Sequence, residues 1–179
     1  FGGIRQRKEP RSFVGELRSY QREGLGWLHV LDDFGFGGCL ADDMGLGKTV
    51  QVLALLDGRR RQQARGSEPR DKHKTQATAR PSLVVVPRSL VFNWIEEAGR
   101  FTPKLRVLNY TGLDRGAVLD QLNEVDLVVT TYGTLRRDVA KLREVEFDYA
   151  ILDEAQAVKN AASQANKACR LLRARRRLA

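Results

Sequence analysis

Residues 41–49 read Ala-Asp-Asp-Met-Gly-Leu-Gly-Lys-Thr. An apolar, glycine-rich run at residues 36–40 precedes this stretch, and a helical pattern from Val50 to Leu56 follows it. A strand, a glycine-rich turn and a helix start place several backbone N–H groups around one point, where the helix dipole adds partial positive charge. This order of elements predicts a phosphate-binding loop. In such a loop Lys48 reaches the β and γ phosphates of a nucleotide, and the Thr49 hydroxyl holds Mg²⁺.

The usual pattern of such a loop is G-x-x-x-x-G-K-[ST]. Gly47, Lys48 and Thr49 fit it, whereas Asp42 occupies the first glycine position. The alternative interpretation is a glycine-rich turn with a surface lysine. The strand and helix predicted on either side favour the phosphate loop.

The composition is that of an ordinary globular domain with a basic surface. The chain has 179 residues, which is enough for one domain with a core. Its net charge of +9, from 31 basic and 22 acidic residues, favours a polyanionic partner. No apolar run is long enough to span a bilayer, so we expect no membrane partner.

Strand and helix patterns alternate through the chain. Strands are predicted at residues 82–86, 105–110, 126–131 and 147–152. Helices are predicted at 16–32, 89–99, 114–121, 132–142 and 161–172, with Ser89 and Asp114 as N-caps. This alternation predicts an α/β fold of three layers, a parallel sheet with helices on both faces. Ligands of such sheets bind at the carboxyl ends of the strands.

Two segments depart from the alternation. Residues 1–15 are a basic, irregular lead-in to a domain that covers residues 16–179. Residues 57–80 contain no Val, Ile, Leu or Phe and carry eight basic residues against three acidic ones. They predict a flexible, solvated basic insertion, with a contact to nucleic acid as the alternative.

A second group of chemically capable residues, Asp153-Glu154-Ala155-Gln156, follows the last apolar strand. An acid at a strand end can hold Mg²⁺ through water, which is the role predicted for Asp153 opposite Thr49. The next acid, Glu154, can orient or deprotonate an attacking water. The alternative is an acidic turn with no chemistry.

Five segments taken together resemble a known family. LRSYQREGLGWL, ADDMGLGKT, LVVVPRSLVFNW, VVTTYGTL and LDEAQAVKN are similar to the successive motifs of Swi/Snf-type ATPases, which are double-stranded-DNA translocases of helicase superfamily two. The resemblance covers nearly all of residues 16–160 except the 57–80 insertion. It implies a RecA-like P-loop NTPase lobe.

The resemblance also implies roles for individual residues. Gln21 would recognise the adenine edge, Lys48, Asp153 and Glu154 would be catalytic, and Thr49 with Asp153 would serve Mg²⁺. The ATP-binding loop would comprise Asp43, Met44, Gly45, Leu46, Gly47, Lys48 and Thr49. The segments 87–89 and 130–132 would face the backbone of double-stranded DNA through Arg88, Ser89, Thr131 and Tyr132, with sequence-tolerant, salt-sensitive binding.

The sequence departs from the family pattern in three places. Asp43 stands where the family often has Glu, and Gln156 stands where His is commoner. A Thr-Gly-Thr-Pro motif and a second lobe, which the family pattern places after this segment, are not within residues 1–179. We therefore expect an incomplete first lobe, monomeric by itself. Because an arginine finger is worth about 10³–10⁵ in rate, we expect this lobe to hydrolyse ATP very slowly without the second lobe in cis.

The leading functional hypothesis is the ATP-binding lobe of a DNA-dependent ATPase that translocates on duplex DNA and remodels protein–DNA complexes. One alternative is a strand-separating helicase or RNA-dependent ATPase, against which LVVVPRSLVFNW argues. Another is a basic nucleic-acid-binding module with a vestigial nucleotide site, against which the intact loop and acids argue. We expect a cytoplasmic location if the protein is bacterial and a nuclear one if it is eukaryotic.

Overall fold

The computed structural model describes residues 4–41, 45–66, 80–112 and 120–179. The helices are α1 (Ser19–Phe34), α2 (Lys48–Gly66), α3 (Val91–Phe101), α4 (Tyr132–Leu142) and α5 (Gln164–Leu171). The strands are β1 (Ser82–Val86), β2 (Val107–Asn109), β3 (Leu127–Thr131), β4 (Glu146–Leu152) and β5 (Arg173–Leu178). Within these ranges every helix is too short or too polar to span a bilayer.

The five strands form one parallel sheet in the order β2-β3-β1-β4-β5. In the centre of the sheet Val84 lies opposite Val129 of β3 and Ile151 of β4. All five residues of β1 are buried, because helices cover both faces of a parallel sheet of this kind. The predicted α/β fold is confirmed.

Each face of the sheet carries its own hydrophobic core. Alternate residues of β1 serve opposite cores: Val84 and Val86 face one, and Leu83 and Val85 face the other. This follows from the two-residue period of a strand. The first core also contains side chains of α1, α2 and α3, and the second contains side chains of α4 and α5. The three predicted layers are therefore present.

The strand predicted at residues 36–40 is reduced to a single bridge. Gly38 pairs with Leu178 of β5, and the Leu40 N–H donates to the Ala179 carbonyl at 2.7 Å. A Cβ on Gly37 would lie 2.8 Å from the Arg177 carbonyl oxygen. Glycine therefore permits this close approach, but it contributes no side chain that could hold a regular strand.

Helix α2 is longer than the sequence indicated. It continues to Gly66, whereas the apolar pattern predicted an end near Leu56. The insertion expected at residues 57–80 therefore does not begin at residue 57, and residues 67–79 lie outside the described ranges. The extension forms because its polar residues face the protein: Asp57 is fully buried, and Arg59 joins a buried ion network described below.

The start of α3 also differs from the prediction. A 3₁₀ turn at Arg88–Leu90 precedes the helix, and the Leu90 N–H donates to the Pro87 carbonyl at 2.9 Å. Ser89 lies inside this turn, so the predicted Ser89 cap is wrong, and Leu90 is the N-cap residue without a side-chain hydrogen bond. Pro87 sets its own φ at −56° and so favours the turn. The helix predicted after Asp114 falls largely on residues 113–119, outside the described ranges.

The described part of the lead-in segment, residues 4–15, is irregular and packs closely on the rest of the domain. The Phe13 side chain is 8% exposed and stacks on Phe101 with 5.8 Å between ring centroids. Glu9 pairs with Arg22 of α1 at 3.0 Å, and Ser12 hydrogen-bonds to Asp57 of α2. The basic character of this segment did not reveal these contacts.

A buried ion network joins α1, α2, β4 and β5. Arg59 donates two hydrogen bonds to Asp148, at 2.9 and 2.8 Å, and one to Asp32 at 3.1 Å. Arg176 pairs with Asp32, and the Tyr149 hydroxyl donates to the same carboxylate at 2.9 Å. The hydrogen bonds to Asp148 raise the pKa of Arg59. Two arginines and two aspartates balance in charge, which is what buried ions require.

Removing one member of this network should destabilise the fold. Arg59→Ala leaves two buried carboxylates without their shared partner, and it should lower the free energy of unfolding by about 3 kcal/mol. The matched control is Arg61→Ala, two residues away on the same helix. It should change the free energy of unfolding by less than about 0.5 kcal/mol. Chemical denaturation of the three proteins measures both values. Equal effects of the two substitutions would show that the network does not hold these elements together.

Candidate nucleotide site

The phosphate loop ends in two glycines with left-handed backbone. Gly45 has a φ of 85° and Gly47 a φ of 74°, a region that side chains disfavour and glycine adopts freely. Among the described residues a Cβ on Gly45 would meet no atom within 4 Å, so they leave the loop open on that side. Lys48 is the first residue of α2, so the helix N-terminus points at the loop. Asp42–Met44 lie outside the described ranges, and the roles of Asp43 and Met44 stay predictions.

The loop faces the acidic motif across a cavity of about 390 Å³. Lys48 and Thr49 line one side, and Asp153, Glu154 and Gln156 line the other. The parallel register explains this proximity. Helix α2 starts, and β4 ends, at the carboxyl edge of the sheet, as the sequence predicted.

Four hydrogen bonds hold Asp153 in place, and the first runs from its own N–H to the Val85 carbonyl at 3.0 Å. Its Oδ2 accepts the Trp94 indole N–H at 2.8 Å, and its Oδ1 accepts the backbone N–H of Glu154 at 3.0 Å. Its carbonyl accepts the Tyr132 hydroxyl at 2.7 Å. A carboxylate has about four acceptor positions, so Asp153 keeps capacity for a further ligand.

Glu154 has an unusual backbone conformation. Its φ is 51° and its ψ is 50°, the left-handed region in a residue other than glycine. Such conformations persist where neighbouring structure enforces them, and they concentrate at functional sites. Here the turn at Ala155–Val158 begins directly after Glu154, whose carboxylate hydrogen-bonds to the Gln156 amide.

Gln21 lies against the phosphate loop. Its Nε2 donates to the Leu46 carbonyl at 3.1 Å, and its Oε1 accepts the Arg18 N–H at 2.9 Å. The Tyr20 hydroxyl also reaches the Leu46 carbonyl, at 3.3 Å. The structure therefore brings Gln21 to the site, whereas its contact with adenine remains a prediction.

The residues predicted to contact DNA lie at the same carboxyl edge. Arg88 and Ser89 follow β1 and are exposed, and Thr131 ends the neighbouring β3 in register with Val86. The Thr131 hydroxyl also caps α4 by accepting the Thr134 N–H at 3.1 Å.

Tyr132 points inward at the acidic motif instead of outward. Its hydroxyl is committed to the Asp153 carbonyl, and burial raises its pKa. The sequence missed this contact. It also missed the hydrogen bond from Trp94. A buried tryptophan usually finds an acceptor for its N–H, and that rule was the available signal.

The comparisons with known proteins agree with this geometry. Residues 20–179 match the SNF2-related domain. The chain belongs to the SNF2-related domain family. This domain is 35% identical over 173 residues to TATA-binding protein-associated factor MOT1 of Saccharomyces cerevisiae, covering 96% of the chain and 9% of that protein. It is 38% identical over 160 residues to an uncharacterized ATP-dependent helicase of Mycoplasma pneumoniae. This match covers 88% of the chain and 14% of that protein.

Solved structures match over almost the whole domain. The SWI2/SNF2 ATPase core of Sulfolobus solfataricus in complex with double-stranded DNA superposes with a TM-score of 0.81 at 35% identity, covering 99% of this domain and 33% of that chain. The SWI2/SNF2 ATPase core domain of the same organism gives a TM-score of 0.77 at 37% identity, covering 95% of this domain and 32% of that chain. The resemblance to Swi/Snf-type ATPases and the RecA-like fold are confirmed. The SNF2-related domain spans a third or less of each of these relatives.

The backbone conformation of Glu154 gives a prediction about stability that does not depend on ATP hydrolysis. Glycine adopts a φ of +51° without penalty, whereas a left-handed residue with a Cβ costs about 1–2 kcal/mol. The free energy of unfolding of the Glu154→Gly variant should therefore be about 1 kcal/mol higher than that of the Glu154→Ala variant. At most positions the glycine variant is the less stable of the two. Denaturant unfolding of the two variants makes the comparison. A more stable Ala variant would mean that Glu154 is not left-handed.

Proposed function

We propose that this chain is the ATP-binding lobe of a DNA-dependent ATPase that translocates on double-stranded DNA and remodels protein–DNA complexes. The single observation that supports it best is the cleft in which Lys48 and Thr49 face Asp153 and Glu154. A cationic loop opposite two carboxylates is the arrangement that phosphoryl transfer to water requires.

The residues present fit a magnesium nucleotide. The N–H groups at the start of α2, the Lys48 ammonium and the open side of Gly45 suit a triphosphate. Thr49 and Asp153 supply oxygen ligands, which Mg²⁺ prefers, and they would hold it between them. When bound, Mg²⁺ neutralises charge on the phosphates. Gln21, at the Leu46 carbonyl, is placed to meet the base of a nucleotide whose phosphates occupy the loop.

The acidic motif is built to orient a water molecule. Trp94 and the Glu154 N–H hold both oxygens of Asp153, so that carboxylate has one orientation. Glu154 has a left-handed backbone, and its carboxylate accepts a hydrogen bond from the Gln156 amide. Glu154 would take the proton of the attacking water as a general base.

Duplex DNA is the proposed partner at the carboxyl edge of the sheet. The similar Sulfolobus core was solved with double-stranded DNA, and Arg88, Ser89 and Thr131 lie together at that edge in this chain. A second RecA-like lobe in cis is proposed to close the cleft. Without it we expect very slow hydrolysis, because an arginine finger supplied from outside the lobe can contribute about 10³–10⁵ in rate.

The nucleotide site is tested by Lys48→Ala. Because Lys48 supplies the charge that faces the phosphates, the variant should lose Mg-ATP binding that isothermal calorimetry detects in the parent full-length protein. Lys104→Ala removes an exposed lysine near β2 and should bind as the parent does. Equal binding by the Lys48 variant and the parent would place the nucleotide elsewhere.

The DNA contact is tested by the salt dependence of binding. Each phosphate contact contributes close to one unit to the slope of log K against log salt. Arg88→Ala in the full-length protein should weaken duplex binding regardless of sequence and reduce that slope by about one. Arg143, after α4 at the opposite edge of the sheet, is the matched control, and Arg143→Ala should leave the slope unchanged. An unchanged slope for Arg88→Ala would remove the proposed contact.

A further inference from the structure

Gln51 is a buried side chain that the proposed mechanism does not use. It lies on α2, three residues after Lys48, and none of it is exposed to solvent. Neither its amide oxygen nor its amide nitrogen has a hydrogen-bond partner within the described part of the chain. Buried amides are almost always paired, so an unpaired one in a native structure needs an explanation.

The Gln51 amide is held against α1. A Cβ on Gly24 would lie 1.9 Å from Gln51 Oε1, so only glycine at position 24 leaves room for the amide. The packing of α1 on α2 at this point therefore depends on one glycine and one glutamine, with no apolar side chain between them.

In a second contact between a glutamine and a glycine, α1 supplies the glutamine and the phosphate loop supplies the glycine. A Cβ on Gly47 of the phosphate loop would lie 2.5 Å from Gln21 Nε2 of α1. Gln21 and Gly24 lie three residues apart on one face of α1. Gly47 directly precedes α2, and its carbonyl accepts a hydrogen bond from the Gln51 N–H. We call these two contacts the reciprocal Gln–Gly pair. They clamp α1 to the phosphate loop and to the first turn of α2.

A backbone hydrogen bond joins Gln51 to the phosphate loop. The Gln51 N–H donates to the Gly47 carbonyl at 3.3 Å, which is longer than a usual N–H···O bond. A small movement of the loop onto phosphates would change the surroundings of the Gln51 amide, because both lie within one turn of helix.

We propose that Gln51 is a positioning residue of the nucleotide site, and that its amide gains a hydrogen-bond partner when nucleotide is bound. The proposal rests on the proposed function. If the amide is unpaired in the nucleotide-free protein and hydrogen-bonded in the nucleotide-bound protein, the free energy of that hydrogen bond favours the bound form. Through the reciprocal Gln–Gly pair, Gln51 also fixes α1, and with it Gln21, which is the predicted adenine contact. Gln51 would therefore act on recognition of the base through α1.

An apolar replacement of similar size should separate these effects. Gln51→Leu removes the unpaired amide, so the nucleotide-free protein should melt at the same temperature as the parent or at a higher one. The same variant cannot form the bond of the bound state, so its affinity for Mg-ATP should fall about tenfold. Affinity for Mg-GTP should also fall, because GTP has the same phosphates, but by a smaller factor, because GTP does not use the contact of Gln21 with adenine.

The experiment uses the full-length protein with three measurements on each variant. Calorimetry gives the dissociation constants for Mg-ATP and Mg-GTP, and thermal unfolding without nucleotide gives the melting temperature. Gln121→Leu is the matched control, because it makes the same change at an exposed position away from the cleft. It should leave the ratio of the two dissociation constants unchanged.

The outcomes are distinguishable. A Gln51→Leu variant with the ATP affinity and ATP preference of the parent overturns the proposal, as does one that loses ATP affinity and also melts at a lower temperature, since packing alone would explain it. Gln51→Met, unbranched and equally long, carries the same expectations if the Leu variant does not fold. Absence of ATP binding in the parent would instead contradict the proposed function.

Discussion

The structure depends on one bidentate ion pair, between Arg59 and Asp148 at 2.8 and 2.9 Å. Arg59 lies eleven residues after Lys48 on α2, and Asp148 lies five residues before Asp153 on β4. The pair therefore fixes the helix that carries the phosphate loop to the strand that carries the acids. Asp32 and Arg176 extend the same network to α1 and β5. A guanidinium buried between carboxylates tolerates little displacement, so both walls of the cleft are held from the opposite edge of the sheet.

The cleft itself contains the features that stability alone would disfavour. Glu154 has a left-handed backbone, and the Gln51 amide has no partner among the described residues. Glu154 lines the cavity, and Gln51 lies two residues after Thr49, which also lines it. The ion network lies farther from the cavity on the same two elements, at Arg59 of α2 and Asp148 of β4. A rigid base with strained or unpaired groups at its functional end is the expected arrangement when binding must change the site and not the fold.

Much of the fold followed from hydrophobic runs. The prediction of β1 at residues 82–86 and of α4 at 132–142 agrees with the structure, because continuous apolar strands and strong helical periodicity are local signals. The prediction failed where tertiary contacts decide: α2 extends to Gly66 because Arg59 finds buried partners far along the chain. The cleft was predicted from loop and acid motifs in sequence order. The roles of Trp94 and Gln51 were not predicted. Trp94 donates a hydrogen bond to Asp153, and the Gln51 amide has no partner among the described residues, and both facts appear only in the folded structure.

The most direct test is a structure of the protein with Mg²⁺ and a non-hydrolysable ATP analogue. We predict that the β and γ phosphates lie within hydrogen-bond distance of Lys48 Nζ and of the backbone N–H groups from Gly45 to Thr49. We further predict the γ phosphate facing Asp153 and Glu154, and the Gln21 amide turned from the Leu46 carbonyl to the adenine edge. An analogue bound outside this cleft, or phosphates that do not contact the loop, would contradict the account.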